Sequence, residues 1–95
     1  MNANIIPLTP VNSKKIAAIG HDLANEVLAI QFLRKGAPDA VYHYQNFSAV
    51  EYAAFASAQS LGKHFGEHIQ PHKDKHPYQN MGVPAAPVVV EDAAA

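Results

Sequence analysis

The sequence predicts an α+β domain, in which a three-stranded antiparallel β-meander is followed by two short helices packed on one face, with extended arms at both ends. Two observations predict this class. Apolar residues alternate with a period of two in residues 27–35 and 40–47, after a short β-branched stretch at 15–21, and from Ser48 onward the period changes to that of a helix. The length of 95 residues allows one domain with a small core. We therefore predict a leader at residues 1–13, a domain at 14–70 and a tail at 71–95.

The three predicted strands follow one another through short turns. The first covers residues 15–21, the second 27–35 and the third 40–47, and the stretch "KGAPD" at 35–39 contains the glycine, proline and aspartate that favour a turn. Short connections between successive strands are typical of an antiparallel meander. The core face of the second strand is expected to carry Leu28, Ile30 and Phe32.

The helices are predicted from caps and from spacing. Ser48 with Glu51 three positions later has the spacing of a capping box, and an alanine-rich stretch follows. Ser60 can cap a second helix of about ten residues that Pro71 ends. The leader and the tail, rich in proline, are expected to add no packed element. The predicted core consists of Leu28, Ile30, Phe32, Phe55, Leu61, Phe65 and Ile69. Among single substitutions we expect Phe65→Ala to lower the stability of the domain most.

Composition excludes several classes of function. Seven basic and eight acidic residues give a net charge of −1, which argues against binding of duplex DNA through phosphate neutralisation alone. The absence of cysteine excludes disulfides, thiolate nucleophiles and cysteine-ligated zinc. Because no apolar run reaches the length of a membrane span, we expect a protein without membrane contact that is cytoplasmic, or located in the virion if it is a phage structural component.

Several motifs in order resemble a known family. They are "IxxIGxD" at Ile16–Asp22, "LxIxF" at 28–32, "YxY" at 42–44 and "AxSxGxxFxxxI" at 58–69. This succession resembles the KTSC domain, a small module named for its occurrence at the C-terminus of some lysyl-tRNA synthetases, over about residues 13–70. The resemblance implies a domain without an established activity, for which RNA binding has been suggested by its association with the synthetase.

Tyr42 and Tyr44 have two interpretations. They can stack bases, as aromatic platforms do in single-strand binders, or they can be a half-buried pair in the core. Strand alternation places Phe47 on the opposite face, and an inward Phe47 would expose the tyrosines, whereas a register shift of one residue would bury them. We expect partial burial, with hydroxyls at the surface and no detectable RNA affinity at physiological salt.

The basic residues are candidate contacts for phosphates. Lys15, Arg34, Lys35 and Lys63 lie at strand or helix ends, and with the tyrosine pair they form the predicted nucleic-acid site. The alternative is ordinary solubilising charge on a small domain.

Four histidines recur every four residues, at His64, His68, His72 and His76, a spacing that would align them on one long helix. Since Pro71 breaks that helix, only the first two are expected to share a face, and we predict no tightly bound metal and no cofactor. No spacing suggests a nucleophile with a base or an acid and base pair, so the protein is not expected to be an enzyme.

Two functions remain open at this point. The first is a non-enzymatic binding module that contacts RNA or single-stranded nucleic acid. The second is a protein-interaction or structural accessory protein, for example phage-encoded or virion-associated, that binds a partner through its arms. Its tail contains Val88, Val89 and Val90, a composition suited to addition of a strand to a sheet edge.

Overall fold

The computed structural model describes residues 6–83, in which two helical segments pack on an antiparallel sheet. The α+β class is therefore confirmed, whereas the predicted three-stranded meander is corrected to five strands in sequential order. The two added strands come from the predicted leader and the predicted tail. The strands are β1 Thr9–Pro10, β2 Ile16–Asp22, β3 Val27–Arg34, β4 Ala37–Tyr44 and β5 Tyr78–Asn80.

The central strands β2, β3 and β4 correspond to the three strands that the sequence predicts. The turn between β3 and β4 is shorter than expected, because it consists only of Lys35 and Gly36, with φ angles of 53° and 79°. Two consecutive positive φ angles are characteristic of the tight turns that join hairpin strands. Pro38 and Asp39 are therefore part of β4 and not of the turn.

The N-terminal segment belongs to the core, which corrects the expectation of a leader without packing. β1 pairs with β2 through Thr9 and Ile19, and the side chains of Ile6 and Leu8 are buried. A Cβ atom at Gly20 would overlap the carbonyl oxygen of Pro7, in the segment that crosses this strand. Glycine therefore permits the two backbones to approach each other closely. The two prolines of this segment exclude a helix, but they do not exclude an edge strand.

The C-terminal segment as far as residue 83 is also packed, in contrast to the prediction for the tail. β5 pairs with β4 so that Tyr78 lies opposite Tyr44 and Asn80 opposite Tyr42. His76, which precedes β5, is buried. Because all three residues of β5 are exposed, the strand has no hydrophobic period by which the sequence could have revealed it.

The predicted helices are present, the second in altered form. The first, α1 Ala49–Ala56, begins with the predicted capping box: Ser48 Oγ accepts from Glu51 N at 3.1 Å, and Ser48 N donates to the Glu51 carboxylate at 2.9 Å. The second, α2 Leu61–His64, continues as a π-helical segment, Phe65–Ile69. Within residues 6–83, no helix has the length and apolar character needed to cross a membrane.

The core lies on both faces of the sheet. The helix face, defined as the one covered by α1 and the two later helical segments, carries most of the predicted core, but Phe32 and Phe65 are only half-buried there. The N-terminal face is the opposite one, covered by residues 6–8, and it was not predicted as a core layer. Fully buried side chains that the predicted core omits are Leu8, Ile16 and Phe47.

The tyrosines lie on the helix face. Tyr42 pairs with Ile30 and Tyr44 with Leu28, which places both rings beside core residues. Phe47 nevertheless also points inward, because Asn46 has a φ of 58° and interrupts the alternation between the tyrosines and Phe47. The argument that an inward Phe47 exposes the tyrosines is therefore wrong.

Candidate functional site

A groove of about 420 Å³ opens between β4, β5 and the π-helical segment. Half of its lining residues are aromatic, and their rings contact one another. The ring centroids of Phe32 and Tyr42 are 5.5 Å apart, those of Phe32 and Phe65 5.2 Å, and those of Tyr42 and Tyr78 5.6 Å. We call this cavity the aromatic groove; its aromatic lining consists of Phe32, Tyr42, Tyr44, Phe65 and Tyr78.

Three tyrosines of the groove differ in their exposure to solvent. Tyr44 is only 6% exposed, and burial, with smaller contributions from the two neighbouring tyrosines, raises its pKa. Tyr42 is half-buried, and its hydroxyl accepts a hydrogen bond from Asn80 Nδ2 at 3.2 Å. Tyr78 is 48% exposed. Partial burial with a hydroxyl at the surface thus describes Tyr42, whereas Tyr44 forms the floor of the groove and Tyr78 an accessible wall.

Tyr78 is held in place by the segment that precedes β5. The imidazole of His76 is packed inside this segment, with Nδ1 3.0 Å from the carbonyl oxygen of Gln45 and Nε2 3.5 Å from Glu51 Oε2. A backbone bond of 2.9 Å from Gln45 N to Pro77 O continues the contact into β5. These bonds attach the chain immediately before Tyr78 to the end of β4, so the wall of the groove is well anchored.

Glu51 connects the same segment to α1. Its carboxylate lies 2.8 Å from Lys75 Nζ and accepts from the backbone N of Ser48. Burial by itself raises the pKa of Glu51, but the hydrogen bonds from Lys75 and Ser48 outweigh it and lower the pKa to about 2. Glu51 is therefore ionised at neutral pH.

Cationic side chains gather at the end of the sheet beside the groove. Because β2 and β3 are antiparallel, the start of β2 meets the end of β3, and Leu33 N donates to Lys15 O at 2.8 Å. Arg34 lines the aromatic groove, and Lys35 follows it in the turn. Among the described residues, Lys15, Arg34 and Lys35 form no ion pair with a carboxylate, so their charges remain available to a ligand.

A second cleft, of about 570 Å³, extends the cationic surface. It contains Lys14, Lys15 and Lys63. The aliphatic part of Lys15 passes over Gly62, where an added Cβ would lie 3.4 Å from Lys15 Cδ. This contact brings the start of α2, and with it Lys63, next to the start of β2.

The structure thus brings most of the predicted site residues into two neighbouring cavities. Tyr42, Tyr44 and Arg34 line the aromatic groove, and Lys15 and Lys63 line the second cleft. Lys35 is exposed in its turn and lines neither cavity. The candidate partner-binding residues Val88, Val89 and Val90 lie outside the described part of the chain.

Sequence reasoning missed other residues of the groove. Lys73 and Tyr78 fall in the stretch predicted as a tail, and Phe32 and Phe65 were assigned to the core alone. One signal was present for Tyr78. In "HPYQN" it lies two positions before Asn80, and residues two positions apart in a strand point to the same face of the sheet. Without knowledge of β5, nothing placed that ring beside Tyr42.

Comparisons with known proteins agree with one another. The family model described as the KTSC domain matches residues 12–72. The crystal structure of a KTSC domain protein from Yersinia pestis is similar, with 31% sequence identity and a TM-score of 0.69, over 81% of this chain and 99% of that chain. No curated protein matches the sequence.

Proposed function

This chain belongs to the KTSC domain family, and we propose that it is a small, non-enzymatic binding module whose ligand is a short stretch of single-stranded nucleic acid. The observation that carries this proposal is the position of the aromatic groove directly beside the cationic end of the sheet. Binding of single strands combines these two features, because aromatic rings stack on bases and cations neutralise the backbone.

The groove supports the base-binding part of the proposal. Its volume of about 420 Å³ lies within the range of small-ligand sites, and half of its lining residues are aromatic. Tyr78 has the most exposed ring of these walls and is suited to stacking, while the less exposed Tyr42 and Phe32 limit the depth to which a base enters. Each stacked base typically contributes about 1–3 kcal/mol.

The cations support the phosphate-binding part. The net charge of −1 conceals a partial asymmetry, since Lys15, Arg34 and Lys35 lie at one end of the sheet together with Asp39, whereas Asp22 and Glu26 lie at the turn of the other end. A ligand with a base in the groove therefore has its phosphates in the region of positive charge. With about four phosphates neutralised, the logarithm of the binding constant should fall with the logarithm of salt concentration with a slope of about −3.

The test measures anisotropy of fluorescently labelled single-stranded RNA and DNA oligonucleotides. We expect binding at low salt, with an affinity that falls along a slope of about −3 as the salt concentration rises toward the physiological range. Tyr78→Ala should weaken low-salt binding by about 1–3 kcal/mol, whereas Tyr78→Phe, which keeps the ring, should bind as the parent does. Lys63→Ala should reduce the salt slope by about 0.7.

Tyr78 and Lys63 are suitable positions because both are exposed, so their loss leaves the core intact. Replacement of Tyr44 would instead remove a buried ring and unfold part of the domain. Absence of binding to both oligonucleotides at low salt, or equal affinity of the parent and Tyr78→Ala, would contradict the proposal.

A further inference from the structure

The four regularly spaced histidines line one cleft of about 470 Å³ in spite of Pro71. After Pro71 the chain continues in helix-like turns, with His72 N bonded to Ile69 O at 3.0 Å and His76 N bonded to His72 O at 2.8 Å. This path keeps the four-residue repeat on one side, which corrects the expectation that only two histidines share a face. We call this cavity the histidine cleft; its imidazoles are those of His64, His68, His72 and His76.

Three of the four imidazoles are available to a ligand. The rings of His64 and His68 are in contact, with centroids 4.6 Å apart, and His68 and His72 are exposed. His76 is different, because its ring is only 2% exposed and is already bonded to the carbonyl oxygen of Gln45. His76 therefore acts as a structural residue beneath the cleft.

We propose that the histidine cleft binds a divalent transition-metal ion of the nickel, copper or zinc type through His64, His68 and His72. Imidazole is a preferred ligand of these ions. Magnesium and calcium are disfavoured, because they require several oxygen ligands and the Glu51 carboxylate in the cleft is paired with Lys75. The proposal is independent of the nucleic-acid function, since the aromatic groove contains none of these histidines.

The geometry sets the strength of this site. As the side chains stand, residues 6–83 contain no group of three or more metal-ligating side chains close enough to hold an ion. His64 and His68 are already adjacent, so the third ligand requires rotation of the exposed His72 side chain. Water completes the coordination of the open cleft. The affinity should therefore be lower than that of a preformed site with four protein ligands.

The test uses the full chain and nickel chloride. Nuclear magnetic resonance spectra of the six imidazoles should show paramagnetic broadening of the His64, His68 and His72 signals, while those of His21 and His43 in the sheet stay sharp. Calorimetric titration should give one site, weakened about tenfold or more in both His68→Ala and His72→Ala. Gln79→Ala is the control, because Gln79 is exposed in β5, carries no charge and lines none of the three cavities, and its affinity should equal that of the parent.

Three outcomes would overturn this site. They are no heat of binding with millimolar nickel, broadening spread equally over all six histidines, and an affinity that His72→Ala leaves unchanged. His68 and His72 are both exposed, so the two variants should fold, and unchanged far-ultraviolet circular dichroism would confirm it.

Discussion

The two faces of the sheet are covered in different ways. On the N-terminal face the sheet presents small residues such as Ala18, Gly20 and Ala29, and the segment that carries Ile6 and Leu8 lies directly on them. On the helix face the sheet presents large residues, and the cover consists of short helical segments. The first arrangement brings backbone against backbone, and the second leaves spaces between bulky side chains and short helices.

This difference between the two faces indicates where a ligand site can form in so small a domain. All three clefts described above include residues of the helical stretch 61–76 or of its N-cap region. Half-buried aromatic side chains lie between this stretch and the sheet, and all three residues of the edge strand β5 remain exposed. The N-terminal face contributes stability, and the helix face contributes both stability and candidate sites.

The largest expected effect concerns the helix face. Phe55→Ala should lower the free energy of unfolding by about 3–5 kcal/mol, because Phe55 is 0% exposed and the cavity cannot collapse easily. Such a loss is comparable with the whole stability of many small domains. Phe65→Ala should cost clearly less, because Phe65 is only half-buried. Urea denaturation measures both variants, and an equal or larger loss for Phe65→Ala would restore the core order that the sequence predicts.

A somewhat smaller effect is expected on the N-terminal face. Leu8→Ala should cost about 2–4 kcal/mol, because Leu8 is fully buried against the sheet. Leu23→Ala is the matched control, since Leu23 is 66% exposed in the turn after β2 and should change stability little. If thermal or urea unfolding gives the same stability for both leucine variants, residues 6–8 do not form part of the core.

The smallest expected effect concerns Glu51, which joins α1 to the segment before β5. Its pKa is lowered from 4.5 to about 2, so its ionised form stabilises the fold above pH 4.5, and this contribution is lost as the pH falls toward 2. Because the ion pair with Lys75 is partly exposed, the contribution should be about 1 kcal/mol or less. Glu51→Gln should reduce the pH dependence of urea unfolding between pH 4.5 and 2; an unchanged dependence would show that other carboxylates cause it.

Much of the fold could be predicted because it depends on local signals. The β-branched residues of β2, the alternation in β3 and β4 and the capping box of Ser48 and Glu51 are all local signals, and the predicted elements appear in the structure. The buried positions Leu28, Ile30 and Phe55 were predicted for the same reason. The candidate site was predicted in part, since Tyr42 and Arg34 do line one groove.

The remaining features arise from contacts between distant residues, which no local period encodes. Asn46 has a positive φ that a short asparagine can adopt, and this single residue changed the relation between Tyr44 and Phe47. The π-helical segment was not predicted, because a spacing of four residues does not distinguish it from an ordinary helix.

The sequence by itself determined the class of fold, the central hairpins, the helix start and the family resemblance, because each of these depends on residue types at short and regular spacing. Only the tertiary structure decided that the N-terminal segment forms a second core layer, that β5 brings Tyr78 to Tyr42, and that four histidines share one cleft. These pairings join residues that are far apart in the chain or separated by a proline. They are selected by complementary size and by satisfied backbone hydrogen bonds in the folded domain.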